Sequence, residues 1–178
     1  VLATLVEFVL LVVKATTNIP YRLAALLAGT VYIGLAGYLL ALFPLPVVVG
    51  VVGVVICVDT FAYFFGRTLG GPKIAPAISP SKTWAGLLGG IVGATVWIAA
   101  WLQLGPRALP DELAAPIENT SAALILGVGA LTAVAAQAGD FLESWLKRKA
   151  GVKDSSKLIP GHGGVFDRTD GMIPVVLL

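Results

Sequence analysis

The sequence is poor in cysteine, in histidine and in charged residues. Only 12% of its 178 residues are charged, and it contains a single cysteine and a single histidine. The lone Cys57 excludes an internal disulfide, and its place in an apolar run predicts a packing role. The first residues carry neither a basic flank nor a small-residue cleavage site, so we expect no secretory signal there. A protein stabilised by internal disulfides is therefore not indicated, and the cysteine content says nothing about the cellular compartment.

Apolar residues, by contrast, make up 57% of the chain, and the mean hydropathy of +0.92 excludes a water-soluble domain. Four runs reach the roughly 20 residues that a helix needs to cross a bilayer. They are Leu23–Leu42, Pro46–Phe65, Trp84–Leu104 and Ala122 to about Leu146. The sequence therefore predicts an all-α, polytopic transmembrane helix bundle with cytoplasmic catalytic loops, forming one domain over residues 1–178.

Two shorter apolar runs flank these spans. Val1 to Val13 and Met172 to Leu178 both stop short of a bilayer crossing. We expect that the chain is truncated at both ends or belongs to a larger assembly. Within the spans, Gly89 and Gly93 have the GxxxG spacing that lets membrane helices approach closely. We expect packing within the chain at this point, with a homodimer seam as the alternative.

Basic residues alternate between the two sides of the predicted bundle. Eleven lysines and arginines fall in the first, third and fifth connections, and Arg107 alone falls in the fourth. By the positive-inside rule, the odd connections are cytoplasmic. A misplaced span would have scattered the basic residues over both faces, so the charge pattern supports the predicted topology.

The second predicted span contains an acid, Asp59. Asp59 would cost about 2.5 to 3.5 kcal/mol at the membrane centre, which makes it a functional candidate. Asp59, Tyr63 and Arg67 share one helix face, so a structural hydrogen-bond or ion-pair ladder is the alternative.

The third connection that follows mixes glycine, proline, hydroxyls and cations. Its end predicts an anion site, because Ser81 can cap a helix that begins near Thr83. A capped helix beside a positive-inside lysine would look the same. The candidate substrate-binding residues here are Ser79, Ser81, Lys82 and Thr83.

The last span ends on a charged helix face. Asp140, Glu143, Ser144, Lys147 and Arg148 fall at i, i+3, i+4, i+7 and i+8, so their side chains project from one side. The acids lie deep in the span and the bases lie at its end. This pattern is typical of a site for a phosphorylated substrate.

The fifth connection adds oxygen ligands and cations to that face. Asp140, Asp167 and Asp170 offer hard ligands suited to Mg²⁺. The cations Lys153, Lys157 and Arg168 can offset phosphate charge. The chain's only histidine, His162, lies in a glycine-rich loop, where a catalytic and a structural role remain equally open.

These residues resemble the C-terminal pattern of the CDP-diacylglycerol synthases, also called phosphatidate cytidylyltransferases. That pattern, S-x-x-K-R-x4-K-D followed by P-x-H-G-G-x-x-D-R-x-D, is matched from Ser144 to Asp170. DTFAYFFGR and SPSKTWAG also resemble family segments, so the likeness covers roughly Asp59 to Asp170. Ser156 stands where many members have glycine, and Gly171 replaces a common serine. Family members usually carry additional N-terminal helices.

The resemblance implies Mg-dependent transfer of a cytidylyl group from CTP to phosphatidate, giving CDP-diacylglycerol and pyrophosphate in phospholipid biosynthesis. It implies Mg²⁺ held by Asp140, Asp167 and Asp170, and leaves open a second cation such as K⁺. The expected partners are CTP, phosphatidate and membrane lipids, with no nucleic acid. The catalytic set would be Asp140, Asp167, Lys153, His162 and Arg168. The substrate-binding set would be Asp59, Ser79, Ser81, Lys82, Thr83, Ser144, Lys147, Arg148 and Lys157.

Two other functions remain open at this point. An ion-coupled membrane transporter would use Asp59 and Asp140 along a cation path, although it would not require the dense mixture of charges in the fifth connection. A related membrane lipid phosphotransferase would need a base for a hydroxyl acceptor, whereas phosphatidate already carries an ionised nucleophile.

Overall fold

A computed structural model describes residues 1–104, 120–160 and 163–178. The elements in chain order are α1 (Leu2–Ala15), α2 (Ile19–Leu42), α3 (Leu45–Thr68), β1 (Lys73–Ala75), β2 (Ser79–Thr83), α4 (Trp84–Leu104), α5 (Ala122–Ala150), α6 (Phe166–Thr169) and α7 (Met172–Val176). Helices α2 to α5 are long and apolar enough to cross a membrane. The predicted helical fold class and the four spans are confirmed. Arg107 and the acids of the fourth connection lie outside the described residues, as does His162.

The helices meet around two small apolar cores. In the first, Phe8 and Leu11 of α1 pack with Ile33 of α2 and Ile173 of α7. In the second, Val58 of α3 packs with alanines of α4 and α5. Large apolar side chains elsewhere face outward, among them Leu27, which is 69% exposed. This inside-out distribution suits a bundle surrounded by lipid.

Two glycines bring α3 and α4 into close contact. A Cβ added to Gly89 would lie 2.6 Å from the carbonyl oxygen of Phe61, and one added to Gly93 would lie 2.6 Å from that of Cys57. Any side chain at either position would collide with the α3 backbone. The expected packing within the chain is therefore confirmed, and the homodimer remains a prediction.

The third connection forms a short hairpin that the all-α prediction missed. Strands β1 and β2 pair antiparallel, with Lys73 opposite Thr83 and Ala75 opposite Ser79. The helix cap is also displaced from the predicted position. Thr83, not Ser81, caps α4, because its Oγ1 accepts a hydrogen bond of 3.0 Å from the Gly86 amide. Pairing with β1 holds Ser81 in the strand, so the cap passes to the residue directly before the helix.

We expect Thr83→Val to lower the stability of the protein by about 1 kcal/mol, because it removes this cap from a buried helix start. Thr83→Ser keeps the hydroxyl and serves as the matched control. The midpoint of thermal unfolding in detergent measures both variants. Equal midpoints for the valine and serine variants would contradict the capping role.

Helix α5 is longer than a bilayer requires. Its 29 residues span about 44 Å, against a hydrocarbon core of about 30 Å, so one end must leave the apolar layer. The helix stops at Gly151, whose φ of 67° is left-handed. The chain then returns through α6, and α7 packs back on α5, α2 and α3. This return places the charged fifth connection against the final turns of α5.

Candidate active site

A polar cavity of about 660 Å³ lies where the C-terminal halves of α3 and α5 meet the hairpin and α6. Its charged lining residues come from four different segments of the chain. They are Asp59, Arg67, Lys73, Lys82, Asp140, Glu143, Lys147, Asp167 and Asp170. Acids and bases separated by more than 100 residues in sequence are therefore neighbours in one concave site.

The cavity collects most of the predicted site residues. Besides the charged groups, its lining includes Ser79, Ser81, Thr83 and Ser144. The predicted shared face of α5 is confirmed for Asp140, Glu143, Ser144 and Lys147.

Four predicted cations lie elsewhere among the described residues. Arg148 is exposed and its Nε approaches the carbonyl oxygen of Ile78 at 3.4 Å. Lys153, Lys157 and Arg168 are exposed on the fifth connection, away from the cavity lining of the described structure. These four cations therefore do not belong to the cavity lining of the described residues.

Lys82 joins the hairpin to α5. Its ammonium group forms an ion pair with Oδ2 of Asp140, and their side chains are 25% and 15% exposed. Burial alone would lower the pKa of Lys82, but the carboxylates of Asp140, Asp59 and Asp170 outweigh burial and raise it. Lys82 is therefore a fixed positive charge among three acids.

Lys147 forms the second cationic centre. Its Nζ lies 2.7 Å from Oε2 of Glu143 and 2.6 Å from Oδ1 of Asp167. The other oxygen of Asp167 accepts hydrogen bonds from the Ser155 amide, the Ser155 hydroxyl and the Gly164 amide. Burial would raise the pKa of Asp167, but these bonds, led by that from Lys147, hold it well below its usual range. Asp167 is thus an ionised carboxylate in a fixed orientation.

Asp170 lies close to acids of both centres. Burial, reinforced by the charges of Asp140 and Glu143, raises the pKa of Asp170 to about 9. Among the described residues, Oε1 of Glu143 is buried without a hydrogen-bond partner. Crowded carboxylates and an orphaned buried oxygen are what a hard divalent cation would satisfy. The donor chemistry of the site therefore fits Mg²⁺.

The carboxylates do not form a ready-made cage. Within residues 1–104, 120–160 and 163–178, no three histidine, cysteine or acidic side chains form a group that could hold a metal ion. In this arrangement Lys82 pairs with Asp140, and Lys147 pairs with Asp167. Side chains at these pairs would have to turn toward an incoming ion.

Several residues at the site were not among the predicted site residues, although the sequence contains signals for some of them. Glu143 shares the charged face of α5 but received no role of its own. Arg67 donates to the Tyr63 hydroxyl at 3.0 Å, which bears out that part of the predicted ladder and places both side chains at the cavity. Lys73 reaches the site only because β1 pairs with β2. Glu7 is the largest omission, since an acid in an apolar run is itself a functional signal.

The fold and this cavity define a multi-pass membrane protein with a charged site at one end of its helix bundle. A family model described as the cytidylyltransferase family matches residues 1–178, and the chain belongs to that family. Relatives named phosphatidate cytidylyltransferase occur in several bacteria. The chain is 39% identical to one from Brucella abortus over 157 residues, which cover 85% of this chain and 54% of the relative.

Other relatives of the same name match a shorter stretch. A Haemophilus influenzae protein is 41% identical over 118 residues, covering 66% of this chain and 38% of the relative. A Rickettsia bellii protein is 37% identical over 116 residues, covering 65% and 48%. The chain thus spans about half the length of these relatives or less.

Proposed function

We propose that this chain carries the catalytic part of a phosphatidate cytidylyltransferase. The reaction would convert CTP and phosphatidate into CDP-diacylglycerol and pyrophosphate. The observation that carries the proposal is the cavity in which Lys82 and Lys147 each hold a carboxylate at the end of a membrane bundle. The names of the relatives support the substrates. Family membership favours this function over a transporter or another lipid phosphotransferase.

This reaction requires that the two substrates be aligned and that the negative charge of their phosphates be compensated. A phosphate oxygen of phosphatidate attacks the α-phosphorus of CTP, the bond from that phosphorus to the oxygen bridging to the β-phosphorus breaks, and pyrophosphate leaves. The attacking oxygen is already ionised, so no general base is required. A site of fixed cations that holds the two phosphates in line supplies what remains.

The cavity residues divide between these tasks. Lys73, Lys82 and Arg67 form the cationic wall for the triphosphate, with the hydroxyls of Ser79 and Ser81 beside them. Lys147 fixes Asp167, and Ser144 lies at the same face of α5. Two roles rest on the sequence pattern alone. The exposed cations Arg148, Lys153, Lys157 and Arg168 would attract anionic substrates. His162 would belong to the catalytic set.

Asp140, Asp167 and Asp170 would hold Mg²⁺, with Glu143 beside them, and K⁺ is the candidate for a second cation. The ion would offset the negative charge that builds up between the two phosphates. Asp59 would support this cluster from α3. The positive-inside pattern of the basic connections supports a site on the cytoplasmic side, where CTP is available.

The test measures CDP-lipid formed by purified protein from labelled CTP and phosphatidate in detergent, with and without Mg²⁺. We expect activity only with the cation, and a loss of at least about tenfold in Asp140→Asn and Asp167→Asn. Asp111→Asn is the matched control, because Asp111 belongs with Arg107 to the fourth connection of the sequence, which the charge pattern assigns to the opposite membrane face. Wild-type protein that forms no CDP-lipid would refute the function. Full turnover in both site variants would refute the metal ligands alone.

A further inference from the structure

One buried acid joins the first helix to the loop that carries Asp167. This acid is Glu7 in α1, a residue that is only 3% exposed. Its Oε1 lies 2.7 Å from the Ser156 hydroxyl and 3.1 Å from the Val165 amide. Its Oε2 lies 2.7 Å from the Phe166 amide and 3.0 Å from the Ser155 hydroxyl. A single side chain thus contacts both ends of a loop about 150 residues away in sequence.

The same loop orients Asp167. The Ser155 hydroxyl that faces Glu7 also lies 2.7 Å from Oδ2 of Asp167, and the Ser155 amide donates to that oxygen at 2.9 Å. A serine hydroxyl has one proton, so it donates to one carboxylate at a time, and the shorter contact is to Asp167. Glu7 then keeps three firm donors, from Ser156, Val165 and Phe166. Glu7 and Asp167 therefore hold the same segment from opposite sides.

We propose that Glu7 is a positioning residue for Asp167. Its carboxylate holds Ser156, Val165 and Phe166 in place, so that Asp167 meets Lys147 at the cavity. The catalytic consequence rests on the proposed cytidylyl transfer, whereas the structural clamp does not.

Two features show that the carboxylate does more than fill space. Phe8, the next residue of α1, packs edge-on against Phe166 with ring centroids 6.0 Å apart, so apolar contact between α1 and α6 exists without Glu7. Both oxygens of Glu7 accept from backbone amides of α6 and the residue before it. A glutamine there would turn its own N–H groups toward one of those amides, which leaves a buried donor unpaired.

The experiment compares Glu7→Gln with Phe8→Leu, which weakens the same contact while keeping the carboxylate. Hydrogen exchange of the amides in residues 163–168, in protein without nucleotide or metal, reports the clamp directly. We expect exchange about tenfold faster in Glu7→Gln. In the CTP and phosphatidate assay, kcat should fall about 10- to 100-fold, because a small displacement of a catalytic group has an effect of that size. The KM for CTP should change much less, since the hairpin is untouched.

The outcomes separate a positioning role from a merely structural one. Fast exchange and low kcat in Glu7→Gln, with a smaller loss of kcat in Phe8→Leu at equal thermal stability, would support the proposal. Equal losses in the two variants at equal stability would overturn it, as would unchanged exchange in Glu7→Gln. Wild-type protein without transferase activity would refute the proposed function and leave the exchange result to decide the clamp.

A milder variant covers the case in which Glu7→Gln does not fold. Ser156→Gly removes one donor to Oε1 from the loop side and leaves α1 intact. It should raise exchange and lower kcat by about two- to fivefold, because Glu7 loses one of its donors and the Leu158 amide loses the Ser156 hydroxyl as its acceptor. Ser156→Thr, which keeps the hydroxyl, should restore both values. No change in Ser156→Gly would count against the clamp.

Discussion

Lys147→Met is expected to lower cytidylyl transfer about 100- to 1,000-fold and to destabilise the protein by about 3 kcal/mol. The lysine bridges Glu143, which is 2% exposed, and Asp167, which is 11% exposed. Its removal leaves two buried carboxylates facing each other. The Asp167 side chain would then lose the partner that turns it toward the cavity.

A second substitution separates the two effects of Lys147→Met. In the double variant with Glu143→Gln, one of the two unpaired charges is gone, so part of the lost stability should return. Activity should stay low, because Asp167 still lacks its partner. Thermal midpoints and transfer rates of the single and double variants form the comparison.

The neighbouring Lys149 supplies the matched control. Its ammonium group lies over the Trp145 ring, 4.4 Å from the centroid, on an exposed part of α5. Lys149→Met removes the same charge from the same helix and should leave transfer within about twofold, as surface changes usually do. A Lys147→Met protein that retains more than a tenth of wild-type transfer would show that Asp167 does not depend on this ion pair.

Gly139→Ala should also disable the site, through the backbone. A Cβ at this position would lie 2.1 Å from the carbonyl oxygen of Asp170 and 2.9 Å from Cγ of Pro174. The segment that carries Asp170 would have to move away from α5. We expect a loss of about 1 to 3 kcal/mol in stability and about 100-fold in transfer, because Asp170 leaves Asp140.

Gly127→Ala is the control for this change, since it lies in the same helix and an added Cβ meets nothing within 4 Å. It should match or slightly exceed the wild type in thermal stability, because alanine favours a helix more than glycine does. Gly139→Ala with wild-type stability and rate would mean that α7 does not pack on α5 as closely as the structure places it.

The sequence alone was sufficient to predict the helix bundle, because a bilayer imposes a length and an apolar composition on every helix that crosses it. The spans were predicted to within a few residues, for example α4 at Trp84–Leu104. The sequence also indicated one charged face on α5, since residues three and four apart must share a helix face. The motif from Ser144 to Asp170 pointed to the family that the comparisons confirm.

Other features depended on contacts that no local pattern encodes. The hairpin that brings Lys73 to the cavity follows from strand pairing in a connection that reads as an irregular loop. For the same reason, Thr83 caps α4 instead of the predicted Ser81. Lys153 and Lys157 share the motif with Asp167 yet lie outside the described cavity lining, because a motif fixes residue order and not the direction of each side chain.

The sequence by itself determined which helices cross the membrane and which end of α5 is charged. Only the tertiary structure decided which partner each charge has, such as Asp140 with Lys82 and Glu7 with the loop before Asp167. The physical reason is range. Periodicity and hydropathy act between residues a few positions apart, whereas these ion pairs and hydrogen bonds join groups 58 and 159 positions apart that meet only when the helices pack.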